Sequence, residues 1–232
     1  MEQKGAKLYL YFSLFPTALT RRAVLENTGD APIRLHKLMS FSMDIPGAYN
    51  VTTFNGGWAA EMNKSTAGAA RSRMVNESLS GFSSNLHNPG FLLSQSGATE
   101  DSGRVYGFNL VYSSNFTATA ECDFNATTRF IMGINPTDFG WHLEPGEAFD
   151  APEAVMVYTD GGLGEMSRIF HRFYNEHLIR GRWKTEKRPL LINSWEAAYF
   201  DFDTDKLAAF AHEAGKLGIE LLVMDDGWFG KR

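Results

Sequence analysis

Apolar and polar positions follow two different periods along the chain, and the change of period divides it. From residue 7 to about 160 the apolar residues come in short runs rich in aromatic and β-branched side chains: Leu8 to Phe12, Arg22 to Glu26, Ile33 to Phe41, Tyr106 to Tyr112, Thr127 to Ile134 and Glu153 to Tyr158. Turn residues separate them at the spacing of a β-sandwich. Asn27-Thr28-Gly29-Asp30 predicts a hairpin turn, because Asn and Gly accept positive φ. The stretch from Asn55 to Asn88, rich in Gly, Ser, Asn and Ala, predicts long loops with a role at a binding surface or subunit contact.

After Gly161-Gly162-Leu163-Gly164 the period becomes helical. Met166, Ile169, Phe170 and Phe173 share one face of a helix that should run to Arg180 and stop at Gly181, a residue suited to a left-handed C-cap. This helix reads as a linker, and Arg182, Lys184, Lys187 and Arg188 after it as a solvated connector. Pro189 to Ile192 then predicts a strand that closes on Asn193-Ser194-Trp195-Glu196. A second helix, capped by Asp203 or Thr204, turns Leu207, Phe210, Ala211, Ala214 and Leu217 to one face and ends at Gly218. The near-continuous apolar run Ile219 to Met224 predicts a strand buried on both faces, closing on Asp225-Asp226-Gly227-Trp228-Phe229. Strand, helix and parallel strand form a βαβ unit, and its right-handed closure sets both strand ends on one side, where α/β folds hold ligands.

Composition narrows the classes. With 232 residues and 44% apolar content the chain can bury a core. A net charge of −5 argues against nucleic acid or an anionic membrane as partner. The lone Cys122 provides no disulfide framework, and Met1 to Phe15 holds neither a signal sequence nor a membrane span, which together lead us to expect a cytoplasmic protein. Asn50, Asn63, Asn76, Asn115 and Asn125 head N-x-[ST] triplets that would matter only in a secreted eukaryotic protein.

The candidate chemistry sits at the strand ends. Adjacent Asp225 and Asp226 can each accept two hydroxyls, which suits a sugar, while Trp195 and Trp228 offer flat apolar rings for the C–H face of a pyranose. The competing reading is an ordinary Asp-Asp-Gly turn with tryptophans that pack. No metal or cofactor is expected: His171 and His177 lie six apart on different helix faces, and neither HExxH nor paired CxxC occurs. The Gly161 to Gly164 stretch lacks the Lys-Ser/Thr of a phosphate loop, and Ser83 and Ser84 with His87 lack an acidic orienter.

From Leu191 to Phe202 (LINSWEAAYFDF) and from Glu220 to Arg232 (ELLVMDDGWFGKR) the chain closely resembles the start of the catalytic barrel in glycoside hydrolase family 36, the bacterial α-galactosidases. Leu143 to Glu147, Pro152 to Val155, Phe170 to Tyr174 and His177 to Trp183 resemble that family's passage from β-supersandwich to barrel. One departure stands where the family often has Arg-Gly in a Ser-rich loop: here the residues are Ser80-Gly81-Phe82-Ser83-Ser84, followed by Asn88-Pro89-Gly90-Phe91. The resemblance implies a β-sandwich at 1–160, a linker helix and connector at 161–188, and the first βαβ unit of a (β/α)8 TIM barrel at 189–232, the whole being a fragment. It also implies a retaining α-galactosidase acting on galactoside oligosaccharides, homo-oligomeric when complete. In it Asp225 and Asp226 would hold galactose hydroxyls, and Trp195 would wall the pocket. The nucleophile of the Lys-x-Asp-x-Asn motif and the acid/base would come from later strands, so no catalytic residue is expected in this chain. The alternative is a non-catalytic carbohydrate-binding or interaction module centred on the sandwich.

Overall fold

The computed structural model describes residues 2–3, 5–68, 72–83 and 86–229, and the chain divides into two compact units, Met1–Tyr174 and Asn175–Arg232. Ser84 and the closing Gly230, Lys231 and Arg232 lie outside the described residues.

In chain order the strands of the first unit are β1 (Glu2–Gln3), β2 (Ala6–Leu14), β3 (Ala18–Asn27), β4 (Ile33–Leu35), β5 (Met39–Pro46), β6 (Asn50–Gly57), β7 (Ala60–Gly68) and β8 (Arg73–Glu77). They continue as β9 (His87–Ser94), β10 (Val105–Leu110), β11 (Phe116–Cys122), β12 (Thr127–Ile134), β13 (Trp141–Leu143), β14 (Ala148–Asp150) and β15 (Ala154–Thr159), and helix α1 (Gly162–Phe173) follows. A large antiparallel sheet runs β1-β2-β3-β15-β10-β9-β6-β7, with β14 also on β3; β5-β12-β11-β8 form a second sheet, and β4 pairs with β13.

Period-two alternation decides the layers. Phe91 and Leu93 of β9, Phe108 and Leu110 of β10 and Ala154 of β15 pack with Phe41, Ile45, Phe116, Phe130 and Met132 of the second sheet. At the centre Phe108 stacks on Phe130, ring centroids 3.8 Å apart. The side chains between them, Leu92, Val105, Val155 and Val157, take the opposite face of the large sheet, where Met166, Ile169, Phe170 and Phe173 of α1 cover them. The helix sits hard on β10: a Cβ at Gly107 would lie 2.5 Å from Phe170 Cε2 and 2.8 Å from Met166 Sδ.

The start of α1 is tied by backbone. The N–H groups of Gly162, Leu163 and Gly164 donate to the carbonyls of Gly103, Thr99 and Glu100 at 3.1, 2.9 and 2.9 Å, which satisfies donors that a helix N-terminus otherwise leaves open. Gly162 has φ +83, and a Cβ there would lie 2.5 Å from Ser102 N, so the glycine-rich stretch is a close-packed turn.

Four expectations change. Asn55 to Asn88 is mostly strand, not loop: β6 and β7 form a hairpin and β8 and β9 join separate sheets. Its small polar residues concealed this, because β7 is exposed throughout and holds its place by backbone pairing. Ile33 to Phe41 is two strands in different sheets, β4 and β5. Asn27 to Asp30 is a turn but not a hairpin, since β3 and β4 do not pair. Gly29 there has no positive φ; it is small because a Cβ would lie 3.2 Å from Gly5 Cα, and Asn27 Nδ2 donates to Ala31 O and Leu143 O. Finally, α1 ends at Phe173, within the first unit and short of Arg180. A π-helical turn at Tyr174–Leu178 follows, and Gly181, φ 73, precedes a 3-10 turn at Arg182–Lys184. Strand β11, with its Thr-Ala alternation, went unrecognised because small side chains give little apolar signal, although Phe116, Ala118 and Ala120 are buried.

The second unit holds β16 (Leu191–Asn193), α2 (Trp195–Ala198), α3 (Thr204–Lys216) and β17 (Leu221–Val223). Strands β16 and β17 pair in parallel, Leu191 opposite Leu221. Asp203 caps α3 by accepting from Lys206 N at 2.8 Å, and Gly218, φ 84, closes it with Ile219 N donating to Ala214 O. The expectation of strands buried on both faces does not hold within this chain: Leu191 is 52% and Leu221 41% exposed, because α3 can cover only one face of a two-stranded sheet. Leu217, assigned to the packed face of α3, is 85% exposed.

Two predictions follow from the first unit. Gly107→Val should destabilise it by roughly 1–3 kcal/mol, the usual cost of forcing extra carbon into a packed contact, read as a lower urea midpoint. Burial pushes the Tyr106 and Tyr174 phenols up to about 12. Both are harder to ionise folded than unfolded, so their stabilisation is complete below the ordinary tyrosine value near 10 and is lost as pH rises towards 12. Denaturant titrations across that window should show stability falling with pH, with a shallower fall in Tyr174→Phe.

Candidate functional site at the parallel strand ends

Parallel pairing brings the residues after β16 and β17 side by side, and hydrogen bonds then join them. Ser194, 1% exposed, donates its N–H to Val223 O at 3.0 Å and accepts from Asp225 N on its Oγ at 3.2 Å. Asn193 bridges the two ends: its Nδ2 donates to Asp225 Oδ2 at 2.6 Å while its Oδ1 accepts from Trp195 N at 2.7 Å. Asp225 is thereby held through both oxygens, since Oδ1 accepts from Asp226 N at 2.8 Å. Each oxygen keeps a further lone pair for an outside hydroxyl. Asp226 is exposed and uses Oδ1 to accept from Gly227 N at 2.9 Å.

Aromatic rings cluster beside the Gly227 turn that follows these carboxylates. Trp195, half-buried, meets Tyr199 and Phe200 edge to face at 5.2 and 5.1 Å. Phe200 and Phe202 lie against Gly227, where a Cβ would fall 3.2 Å from each ring. With φ 94, Gly227 suits this place on two counts. Tyr199 donates its hydroxyl to Glu196 Oε2 at 3.2 Å, and that bond holds its pKa above the ordinary value.

The structure thus brings Asp225 and Trp195 together through Asn193, and Asp226 to the same cluster through Gly227 and Phe200. Trp228 stands apart: it is 70% exposed and its ring partner is Phe229, at 5.8 Å. Sequence reasoning passed over Asn193, Ser194, Phe200 and Phe202 as site residues. The signal for the first two was their position, since residues that close adjacent parallel strands must face each other across the ladder. Among the described residues no group of three or more His, Cys, Asp or Glu is placed to hold a metal ion, and no helix is long and apolar enough to cross a membrane.

Ser194→Ala should remove the acceptor for Asp225 N. Amide hydrogen exchange at Asp225 should accelerate, with a stability loss of about 0.5–1.5 kcal/mol; unchanged exchange would mean the bond does not anchor this turn.

Comparison with known proteins identifies the family. Residues 2–144 match the glycosyl hydrolase family 36 N-terminal domain, and residues 148–232 match the melibiase domain. The chain is 46% identical over 231 residues to the α-galactosidase AgaA of Geobacillus stearothermophilus, covering 98% of this chain and 32% of that protein. It superposes on the crystal structure of the Lactobacillus brevis α-galactosidase with a TM-score of 0.95 at 40% identity, covering 99% of this chain and 31% of that one. It also superposes on a variant of AgaA solved in complex with raffinose, with a TM-score of 0.94 at 43% identity, covering 98% of this chain and 32% of that one. The chain therefore spans about a third of the length of the relatives it matches. The chain belongs to glycosyl hydrolase family 36.

Proposed function

We propose that this chain contributes a galactose-holding corner to an α-galactosidase that releases terminal α-linked galactose from oligosaccharides of the raffinose type, with retention at the anomeric carbon. The observation that carries the reading is the Asn193 to Asp225 bond. A carboxylate oriented by two donors, beside an exposed second carboxylate and an aromatic wall, supplies fixed acceptors for neighbouring sugar hydroxyls. Asp225 would take the inner position, Asp226 the outer one, and Trp195 the wall; the more exposed Trp228 would serve a looser contact at the rim. The domain limits that go with this reading are a sandwich at 1–160, a linker at 161–188 and barrel elements from 189.

Binding and bond cleavage are divided under this proposal. Retention needs a nucleophilic carboxylate and an acid/base about 5 Å apart. Asp225 already has both oxygens engaged in orientation, which suits a binding role. The family's reacting carboxylates belong to strands outside this sequence, in a homo-oligomeric enzyme.

Two outcomes test the proposal. The 232-residue chain alone should not hydrolyse an aryl α-galactoside above a buffer control. In a full-length relative of the same family, Asp-to-Asn changes at the positions equivalent to Asp225 and Asp226 should each lower kcat/KM by at least about tenfold, the loss of one charge-assisted bond of about 1.5–3 kcal/mol. Unchanged kcat/KM in both variants would overturn the assignment.

A further inference from the structure

A second polar cleft lies wholly within the first unit and uses none of the strand-end residues. Near it Pro89 stands inside β9, a strand that pairs with both β6 and β10. Proline cannot donate to a ladder and is tolerated within sheets at bulges. The β6 to β9 register indeed shifts there, between Thr53 opposite Phe91 and Asn55 opposite His87. Asn76 of β8, in the other sheet, answers the disruption: its Nδ2 donates to Asn88 O at 2.9 Å and to Gly90 O at 3.3 Å, the carbonyls on either side of the proline.

This repair leaves Asn76 with an unmet need. It is 4% exposed, and its buried Oδ1 accepts from no donor among the described residues. A buried acceptor without a donor costs about 1–3 kcal/mol. Asn76 lines an open cavity of about 510 Å³, together with Thr53, Asn55, Glu77, Ser80 and His87. That volume lies within the usual range for small-molecule sites. Glu77 is braced, with Oε2 accepting from Asn135 Nδ2 at 3.1 Å, and Asn55 Nδ2 donates to Thr53 Oγ1 at 2.9 Å. Val75 and Leu79 supply apolar surface beside these groups.

We infer that this cleft binds a neutral, hydroxyl-rich saccharide. The amide oxygen of Asn55 and the braced carboxylate of Glu77 accept hydrogen bonds and cannot donate them, so they select a ligand rich in O–H donors. The hydroxyls of Thr53 and Ser80 can give or take as the ring requires, and the two aliphatic side chains meet its C–H face. The single carboxylate disfavours phosphorylated or otherwise anionic sugars.

Titration calorimetry with raffinose on the 232-residue chain carrying D225N and D226N isolates this cleft from the strand ends. Saturable binding is expected there. Adding E77Q, whose amide oxygen still accepts from Asn135, together with H87A should weaken it at least tenfold. Ser80→Trp, at an exposed loop position, should block it, with far-ultraviolet circular dichroism and the melting temperature unchanged. Absence of saturable binding in the D225N/D226N chain, or binding indifferent to both the E77Q/H87A pair and S80W, would overturn the inference and leave the strand-end assignment standing.

Discussion

The first unit depends on one constraint: its large sheet carries apolar side chains on both faces and needs two covers. Antiparallel sheets commonly turn one face to water. Here Leu92, Val155 and Val157 face away from the sandwich core and would be solvated without α1. The helix is therefore a packed cover of that sheet. Its seat requires Gly107 beneath Phe170 and Met166, and the 99–103 loop to receive its first N–H groups. The Ala154–Val157 run and the glycines at 161–164 meet in this one arrangement, a sheet layer and the start of its cover.

A different device governs the second unit. Two three-residue parallel strands bury little, and Leu191 and Leu221 remain partly exposed. What orders their ends is polar: Ser194 and Asn193 reach from one strand to the backbone and side chain that follow the other. Such a bridge orients Asp225 within the turn that follows β17. The difference between an oriented carboxylate and a more exposed neighbour follows from the backbone turn at Asp225-Asp226-Gly227, where the N–H groups of Asp226 and Gly227 are taken by the side chains that precede them.

The Pro89 bulge shows how a local misfit can create a feature. A proline in a paired strand takes a donor from the ladder, and an asparagine from the other sheet contributes hydrogen bonds in its place. The polar lining of the cleft comes from Thr53 and Asn55 of β6, Asn76 and Glu77 of β8, His87 of β9 and the loop residue Ser80.

The chain's apolar periodicity and end-of-element residues determined much: the sandwich class, α1 through Met166, Ile169, Phe170 and Phe173, a helix cap at Asp203 or Thr204, and two parallel strands ending in Asp225-Asp226 and Asn193-Ser194-Trp195. These are local properties, set by which residues recur at a period of two or 3.6 and by which residue can end an element. Tertiary structure decided the rest. That Asn55 to Asn88 holds β7, β8 and the ends of β6 and β9, that Ile33 to Phe41 divides between two sheets, and that Trp195 joins Asp225 through Asn193 all depend on partners distant in sequence. A backbone ladder can order small polar residues that carry no apolar signal, and a side chain's role depends on which group lies across the sheet from it.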